Sequence, residues 1–364
     1  MIIVIDDSVV DEEIVEVHSV QLAIEALYCS MGRGEHYVLT SRRVLSQLLK
    51  KKLNSRHVEA MLKWSLQNFS FLAGLPRQIP VGLVVVANGP TERISDGKWQ
   101  TCAAEIARAG VRPTVLLAEN SVDARIFTHA AKHYLLSQDL GSIQVSIEDR
   151  NGNGSGIAAE LQNLIDRRTE WCLCISDSDL RCPDGSAGIN AQQCESVASR
   201  ASWPVNFRTT IGRELENDLP RTVLNEVVST RIPTWERHSS LVEDACGVVL
   251  PYADIRGGTR PCDVNRFAVG TKERAYWSFV SRNYSKVIPE EEACTKVGEC
   301  STARGCTLLP STGEGIGAAA LTIFDGQSVH ASYKKYKNAS NIESWLELGR
   351  TVAIQGLSPK RMRL

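Results

Sequence analysis

The chain has 364 residues, 43% of them hydrophobic and 23% charged, with 26 glycines and 13 prolines: the proportions of a globular chain too long for one small core. Lys and Arg number 41 against 42 Asp and Glu, which excludes a whole-molecule basic field for nucleic acid and leaves such binding to a local patch. No apolar run reaches the roughly 18 residues of a membrane span, and the opening MIIVIDDSVV carries acids where a signal peptide carries basic charge. A cytoplasmic chain with no membrane partner is therefore expected.

In chain order, IIVIDD reads as a short β-branched strand, VHSVQLAIEALYCSM as a helix and HYVLTS as a strand. The stretch from Arg42 to Gly74 has helical period, with its basic residues on a solvated face. Pro76 and Pro80 bracket a turn before VGLVVVANG, apolar enough for a buried parallel strand. A loop of turn formers (Asn88, Gly89, Pro90, Asp96, Gly97) then leads to a helix around WQTCAAEIARAG.

A better-marked alternation follows. TVLLAEN, SIQVSIED, WCLCISDSD and PVNFRTTIG read as strands. They alternate with the helices SVDARIFTHAAKHYLL, IAAELQNLIDRR, NAQQCESVASRA and ELENDLPRTVLNEVV. The expected fold is α/β: an N-terminal α/β domain over 1–110, a mostly parallel sheet flanked by helices over 111–228, and an irregular C-terminal region over 229–364.

Eleven scattered cysteines, an odd number with no CxxC, read as small apolar packers in a reducing compartment. Cys294, Cys300 and Cys306 are spaced too widely for the usual zinc ligands.

In parallel sheets, functional groups gather at the carboxyl ends of strands. Glu119 ends one strand, and Asp177 and Asp179 end another. Acids at i and i+2 on a strand project from the same side, so the three can converge. Convergent carboxylates repel unless a cation lies between them, and hard oxygen donors favour Mg²⁺ or Mn²⁺. A single acid at such a position more often caps the next helix, a role that suits Asp123 behind a Ser121 cap.

The combination LLAENSVDARIF, ISDSD and RELEN resembles the Toprim fold of topoisomerases, primases and overcoming-lysogenization-defect (OLD) family nucleases. RELEN is similar to the Arg-x-x-Glu-Asn stretch of Toprim proteins in bacterial anti-phage defence. Where the family often has Glu-Gly, this chain has Glu119-Asn120, asparagine being the next most tolerant of a left-handed backbone. The resemblance implies a Mg²⁺-dependent endonuclease, a hydrolase of phosphodiester bonds in DNA or RNA, acting as an effector of antiviral defence. Asp177 and Asp179 would be catalytic metal ligands, and Glu119 a ligand or proton-transfer group. Glu214 and Glu216 would complete a second metal position, or else form a solvated charged turn. Arg213 would clamp a substrate phosphate or neutralise its glutamate neighbours. No GxxxxGK[ST] occurs, so any ATPase or sensor would be a separate partner subunit; a homo-oligomer is equally compatible.

The opening IIVIDDSV also resembles PIN-domain ribonucleases, with Asp6 as the matching ligand. Leu45 and Gln47 stand where that family's next acid belongs. A second version of this reading runs through Asp96, Glu119 and Asp123. A non-catalytic sensor or scaffold is the third alternative. The loop NGNGSG (151–156) is read as a connector rather than a phosphate cradle, and Gly313, Gly315 and Gly317 lack any dinucleotide context. His129 and His133 share a helical face and read as partly exposed packing rather than a metal pair. RGGTRPCDVNRF, KERAYWSFVSRNYSK and SPKRMRL mix cations with aromatics, a pattern that can contact nucleic acid but usually forms ordinary surface.

Overall fold

The computed structural model describes residues 1–10, 17–51, 55–246, 248–259, 267–284 and 308–362. The Cys294, Cys300 and Cys306 group lies outside the described residues, as does most of RGGTRPCDVNRF.

The strands are β1 (Ile2–Ile5), β2 (Tyr37–Leu39), β3 (Leu83–Val86), β4 (Glu92–Ser95), β5 (Lys98–Cys102), β6 (Thr114–Ala118), β7 (Gln144–Val145), β8 (Ile147–Asn151), β9 (Cys172–Ser176), β10 (Val205–Thr209) and β11 (Leu357–Ser358). The helices are α1 (His18–Arg33), α2 (Arg42–Lys51), α3 (Arg56–Gln67), α4 (Phe69–Gly74), α5 (Ala103–Ala109), α6 (Ser121–Ser137), α7 (Ile157–Arg167), α8 (Ile189–Ser199), α9 (Leu215–Asp218), α10 (Arg221–Ser229), α11 (Trp235–Cys246), α12 (Lys272–Tyr284), α13 (Ile316–Asp325), α14 (Val329–Tyr336) and α15 (Ile342–Gly356). The chain is mixed α/β and forms two compact units. One comprises Met1–Ile175, Cys194–Arg208 and Leu346–Leu364, the other Ser176–Gln193 and Thr209–Trp345.

The first unit holds two main sheets. In the first, ordered β2-β1-β3-β5-β4, strands β1, β2, β3 and β5 are parallel, with Ile3 opposite both Val38 and Leu83. Ile2, Ile3, Ile5, Leu83 and Val85 are buried, as continuous apolar runs require in a covered parallel sheet. One expectation fails here: WQTC is not helical. Trp99 is buried in β5, pairs with Leu83 and donates its indole N–H to Asn206 Oδ1 at 3.3 Å. The turn at Asp96-Gly97 folds β4 back on it as an antiparallel edge, and the helix begins only at Ala103.

The second sheet has the order β10-β9-β6-β8. Strand β6 lies parallel to both β8 and β9, so all three run out at one edge. SIQVSIED is divided between two sheets: Gln144 and Val145 pair antiparallel with β11, while Ile147 to Asn151 pair with β6.

In the second unit, the stretch ELENDLPRTVLNEVV breaks into α9 and α10 at Pro220, which lacks the amide hydrogen that a continuous helix needs. The described residues beyond 229 are largely helical, contrary to the irregular region expected. Buried Trp235, Trp277, Phe324, Tyr336 and Trp345 anchor helices α11 to α15, and the Phe324 and Trp345 rings stack at 5.4 Å.

Candidate active site

The second unit holds Asp177, Asp179, Glu214 and Glu216 of the acids singled out above. After β9 ends at Ser176, Asp177 Oδ1 accepts the backbone N–H of Leu215 at 3.0 Å. Ser178 is buried: its N–H reaches Thr210 Oγ1 at 2.8 Å and its hydroxyl donates to Gly212 O at 2.7 Å. Asp179 N–H donates to Arg213 O at 2.8 Å. The Asp-x-Asp turn is thus bonded, residue by residue, to the loop after β10.

The two aspartates do not keep the strand's two-residue alternation. Asp179 takes φ +53°, a left-handed conformation that breaks the extended period. Its carboxylate lies over Gly188, where a Cβ would fall 2.2 Å from Oδ2. Asp179 therefore lines a different space from Asp177: a cleft of about 380 Å³ shared with Arg181, Ser186, Asn190 and Glu273.

The loop from Thr210 to Pro220 is held from within. Asp218, buried at the end of α9, accepts the N–H groups of Ile211 and Gly212, each at 2.7 Å. Burial nevertheless pushes its carboxyl up to about 7, against those two bonds. Glu214 and Asn217 form a reciprocal capping box at the start of α9, and the Asn217 amide reaches Leu250 O and Ala253 O at 2.5 and 3.0 Å. Glu214 and Glu216 are buried rather than part of a solvated turn.

At the centre of these acids is Arg256, the first residue of RGGTRPCDVNRF, which the sequence placed among cations able to contact nucleic acid rather than among these acids. Its Nε lies 3.1 Å from Glu214 Oε2 and 3.9 Å from Glu216 Oε1, and a terminal nitrogen lies 4.0 Å from Asp177 Oδ2. Burial works against its charge, but the Glu214 hydrogen bond and the charges of Glu216, Glu214 and Asp177 more than offset this and raise its pKa. Burial raises the Glu216 carboxyl, with Arg256 opposing. Arg213 donates to Asp254 at 3.1 Å and lies 3.8 Å from Glu214.

A carboxylate-only donor set suits a hard divalent cation. As the side chains stand, however, among the described residues no group of three or more His, Cys, Asp or Glu is arranged to hold a metal ion. Asp177 and Glu214 turn oxygens to Leu215, Asn217 and Arg256 instead.

The remaining candidates lie in the first unit. Glu119 directly follows β6, and its carbonyl accepts the N–H of Gly154 at 3.0 Å, while Gly152 N–H donates to Ala118 O at 2.7 Å. NGNGSG thus folds back as a connector over the end of β6. Asn120, not Ser121, caps α6: its Oδ1 accepts Asp123 N–H at 3.0 Å. Its φ of −143° is extended, so no left-handed residue is needed there. His129 and His133 are buried rather than partly exposed, and burial lowers the His133 imidazole to about 3. Asp6 accepts the N–H of Ser8 at 2.9 Å, and the Ser8 side chain and backbone hold its carboxyl below the usual range. Asp96 pairs with Arg208 at 2.5 Å. Of the acids of the PIN-like reading, Asp6 is therefore engaged by its neighbour Ser8 and Asp96 by the distant Arg208. In α12, Trp277 is turned inward and donates to Arg181 O at 2.6 Å, whereas Phe279 is exposed.

No protein-family model, curated protein or solved structure matches the chain.

Proposed function

We propose that the second unit carries a divalent-metal-dependent site for hydrolysing phosphodiester bonds in DNA or RNA, and that the protein is a nuclease effector of bacterial defence. The observation that carries this reading is the convergence of Asp177, Glu214 and Glu216, from two separate segments, on the single cationic group of Arg256. The defence role and the Toprim assignment rest on the resemblance of the three motifs.

In this reading Asp177, Glu214 and Glu216 hold Mg²⁺ or Mn²⁺. Such an ion polarises a phosphoryl oxygen and lowers the pKa of a bound water. Asp218 and Asn217 keep the Glu214–Glu216 segment in place, while Ser178 ties it to the Asp-x-Asp turn. Asp179, lining the adjoining cleft, contributes on the substrate side. Glu119 enters through the order of motifs along the chain, and a separate ATPase or sensor subunit is the partner the resemblance implies.

One observation favours a second, non-catalytic reading as a scaffold or sensor: Arg256 already supplies the carboxylates with positive charge. Calorimetric titration with Mn²⁺, run beside cleavage assays on single- and double-stranded DNA and RNA, separates the two. The nuclease reading expects binding below millimolar concentration and cleavage that Asp177→Ala abolishes in a folded protein. Absence of both binding and cleavage favours the scaffold. Cleavage lost in Asp6→Ala but retained in Asp177→Ala moves the activity to the PIN-like region.

A further inference from the structure

We propose that the outer face of α2, in the first unit, is a docking surface for the phosphate backbone of a nucleic acid, whether or not the acids of the second unit cleave it. The whole chain is nearly neutral, with 41 Lys and Arg against 42 Asp and Glu. Over residues 42–67, which span α2 and α3, the sequence has seven Lys and Arg against a single acid, Glu59. That acid is already engaged, its Oε1 accepting from Lys63 Nζ at 2.5 Å. A local excess of this kind is what a neutral chain needs to hold a polyanion.

Helix α2 concentrates the charge on one side. Val44, Leu45 and Leu48 are buried and form its inward stripe. Arg43, Ser46 and Lys50, at i, i+3 and i+7, fall opposite that stripe and are exposed, with exposed Arg42 beside them. The helix contains no acid, and among the described residues Arg42, Arg43 and Lys50 form no ion pair with a carboxylate. Arg42 instead sits over the Phe69 ring, 4.8 Å from its centroid, which orients the planar fork and leaves its charge intact. Arg43 and Lys50 are separated by about 10 Å along the helix axis. Duplex DNA carries one negative charge per roughly 1.7 Å of its axis, so a face of this length meets several phosphates at once. Contacts of this kind read charge and not base edges, so the surface holds nucleic acid without sequence preference.

The experiment follows fluorescence anisotropy of short labelled single-stranded RNA, single-stranded DNA and duplex DNA with the full chain, in a chelator so that nothing is cleaved, over a series of salt concentrations. The test variant is Arg43→Gln/Lys50→Gln. The control is Arg108→Gln/Arg350→Gln, the same loss of charge at exposed arginines that already pair with Glu105 and Glu347. The test variant is expected to bind about tenfold more weakly or worse, and the slope of log affinity against log salt is expected to fall by about 1.4 to 1.8, the worth of two phosphate contacts. The control is expected to stay within about twofold of the wild type. Circular dichroism establishes folding, and Lys50→Gln alone replaces the double variant if that does not fold, with half the change in slope. Wild type that binds none of the three nucleic acids, or equal losses in test and control variants, overturns the surface. Wild type that binds phosphatidylserine vesicles but no nucleic acid overturns it too. Asp177→Ala is expected to bind as the wild type does; a chain that binds through α2 yet cleaves nothing with Mn²⁺ leaves the surface standing and removes the nuclease reading.

Discussion

Asp177, the first residue after β9, accepts the backbone N–H of Leu215, the first residue of α9, across 38 positions of sequence. One carboxylate therefore caps a helix and faces Arg256 at the same time.

These two roles can be taken apart. Asp177→Asn keeps an oxygen for Leu215 but loses the charge, so it is expected to retain stability while losing Mn²⁺ binding and cleavage. Asp177→Ala loses both and is expected to cost about 1 kcal/mol in addition, the usual worth of a helix cap. Urea unfolding beside metal titration checks the pair; an Asn variant that binds metal as the wild type does would remove Asp177 from the ligand set.

Asp218 makes a pH prediction. Its folded pKa, about 7, lies above the ordinary 3.8, so the native state keeps a proton that the unfolded chain releases. Its contribution is full below about pH 4 and is lost as pH rises to about 7, by at most about 1.4 kcal/mol per pH unit. Asp218→Asn cannot titrate and turns a donor toward one of the two N–H groups, at a cost of about 1–3 kcal/mol. The stability gap between wild type and Asp218→Asn is expected to narrow from pH 5 to pH 8. Denaturant unfolding at both pH values tests this, and a gap that widens would show that the two backbone bonds outweigh burial.

His133 has the opposite sign. Burial lowers it from 6.5 to about 3, so the unfolded chain takes up a proton that the fold refuses. The stabilisation is present above pH 6.5 and is lost as pH falls toward 3. His36, buried against Arg112 O at 2.7 Å, is also lowered, chiefly by burial, and acts in the same direction. Thermal melting of wild type and His133→Leu at pH 7.5 and pH 5 is expected to show a smaller acid shift in the variant. An equal shift in both would place the acid sensitivity elsewhere.

Gly152 lies where a Cβ would come 2.7 Å from Ile157 Cγ1 and 2.8 Å from Ala118 O. Because one of these atoms is backbone at the end of β6, Gly152→Ala is expected to destabilise by about 1–3 kcal/mol. Gly156 has more room: the nearest atom a Cβ would meet is Asn153 Cβ at 3.7 Å. Gly156→Ala is therefore expected to be near neutral. Parallel thermal denaturation of the two variants decides whether the close approach at 152 matters.

Much of the second sheet was legible in the chain itself. TVLLA and CLCIS are fully buried runs, and a strand covered on both faces needs no polar alternation to be recognised. WQTC was not legible, because its alternating exposure comes from pairing with β3 and its four residues continue without a break into helical AAEIARA. Asp177, Glu214 and Glu216 could be singled out as acids at element ends, since local residue type decides which groups stand there. Arg256 could not be assigned to them, for it meets Glu214 across 42 positions of sequence and, within RGGTRPCDVNRF, reads only as one of several surface cations. The same is true of Asp179, whose left-handed backbone separates it from Asp177 although spacing alone would pair them. Periodicity and capping act within one turn of helix or one strand and can be read from neighbours in the chain. Which cation balances which carboxylate depends on segments far apart being brought together, and that is a property of the folded chain.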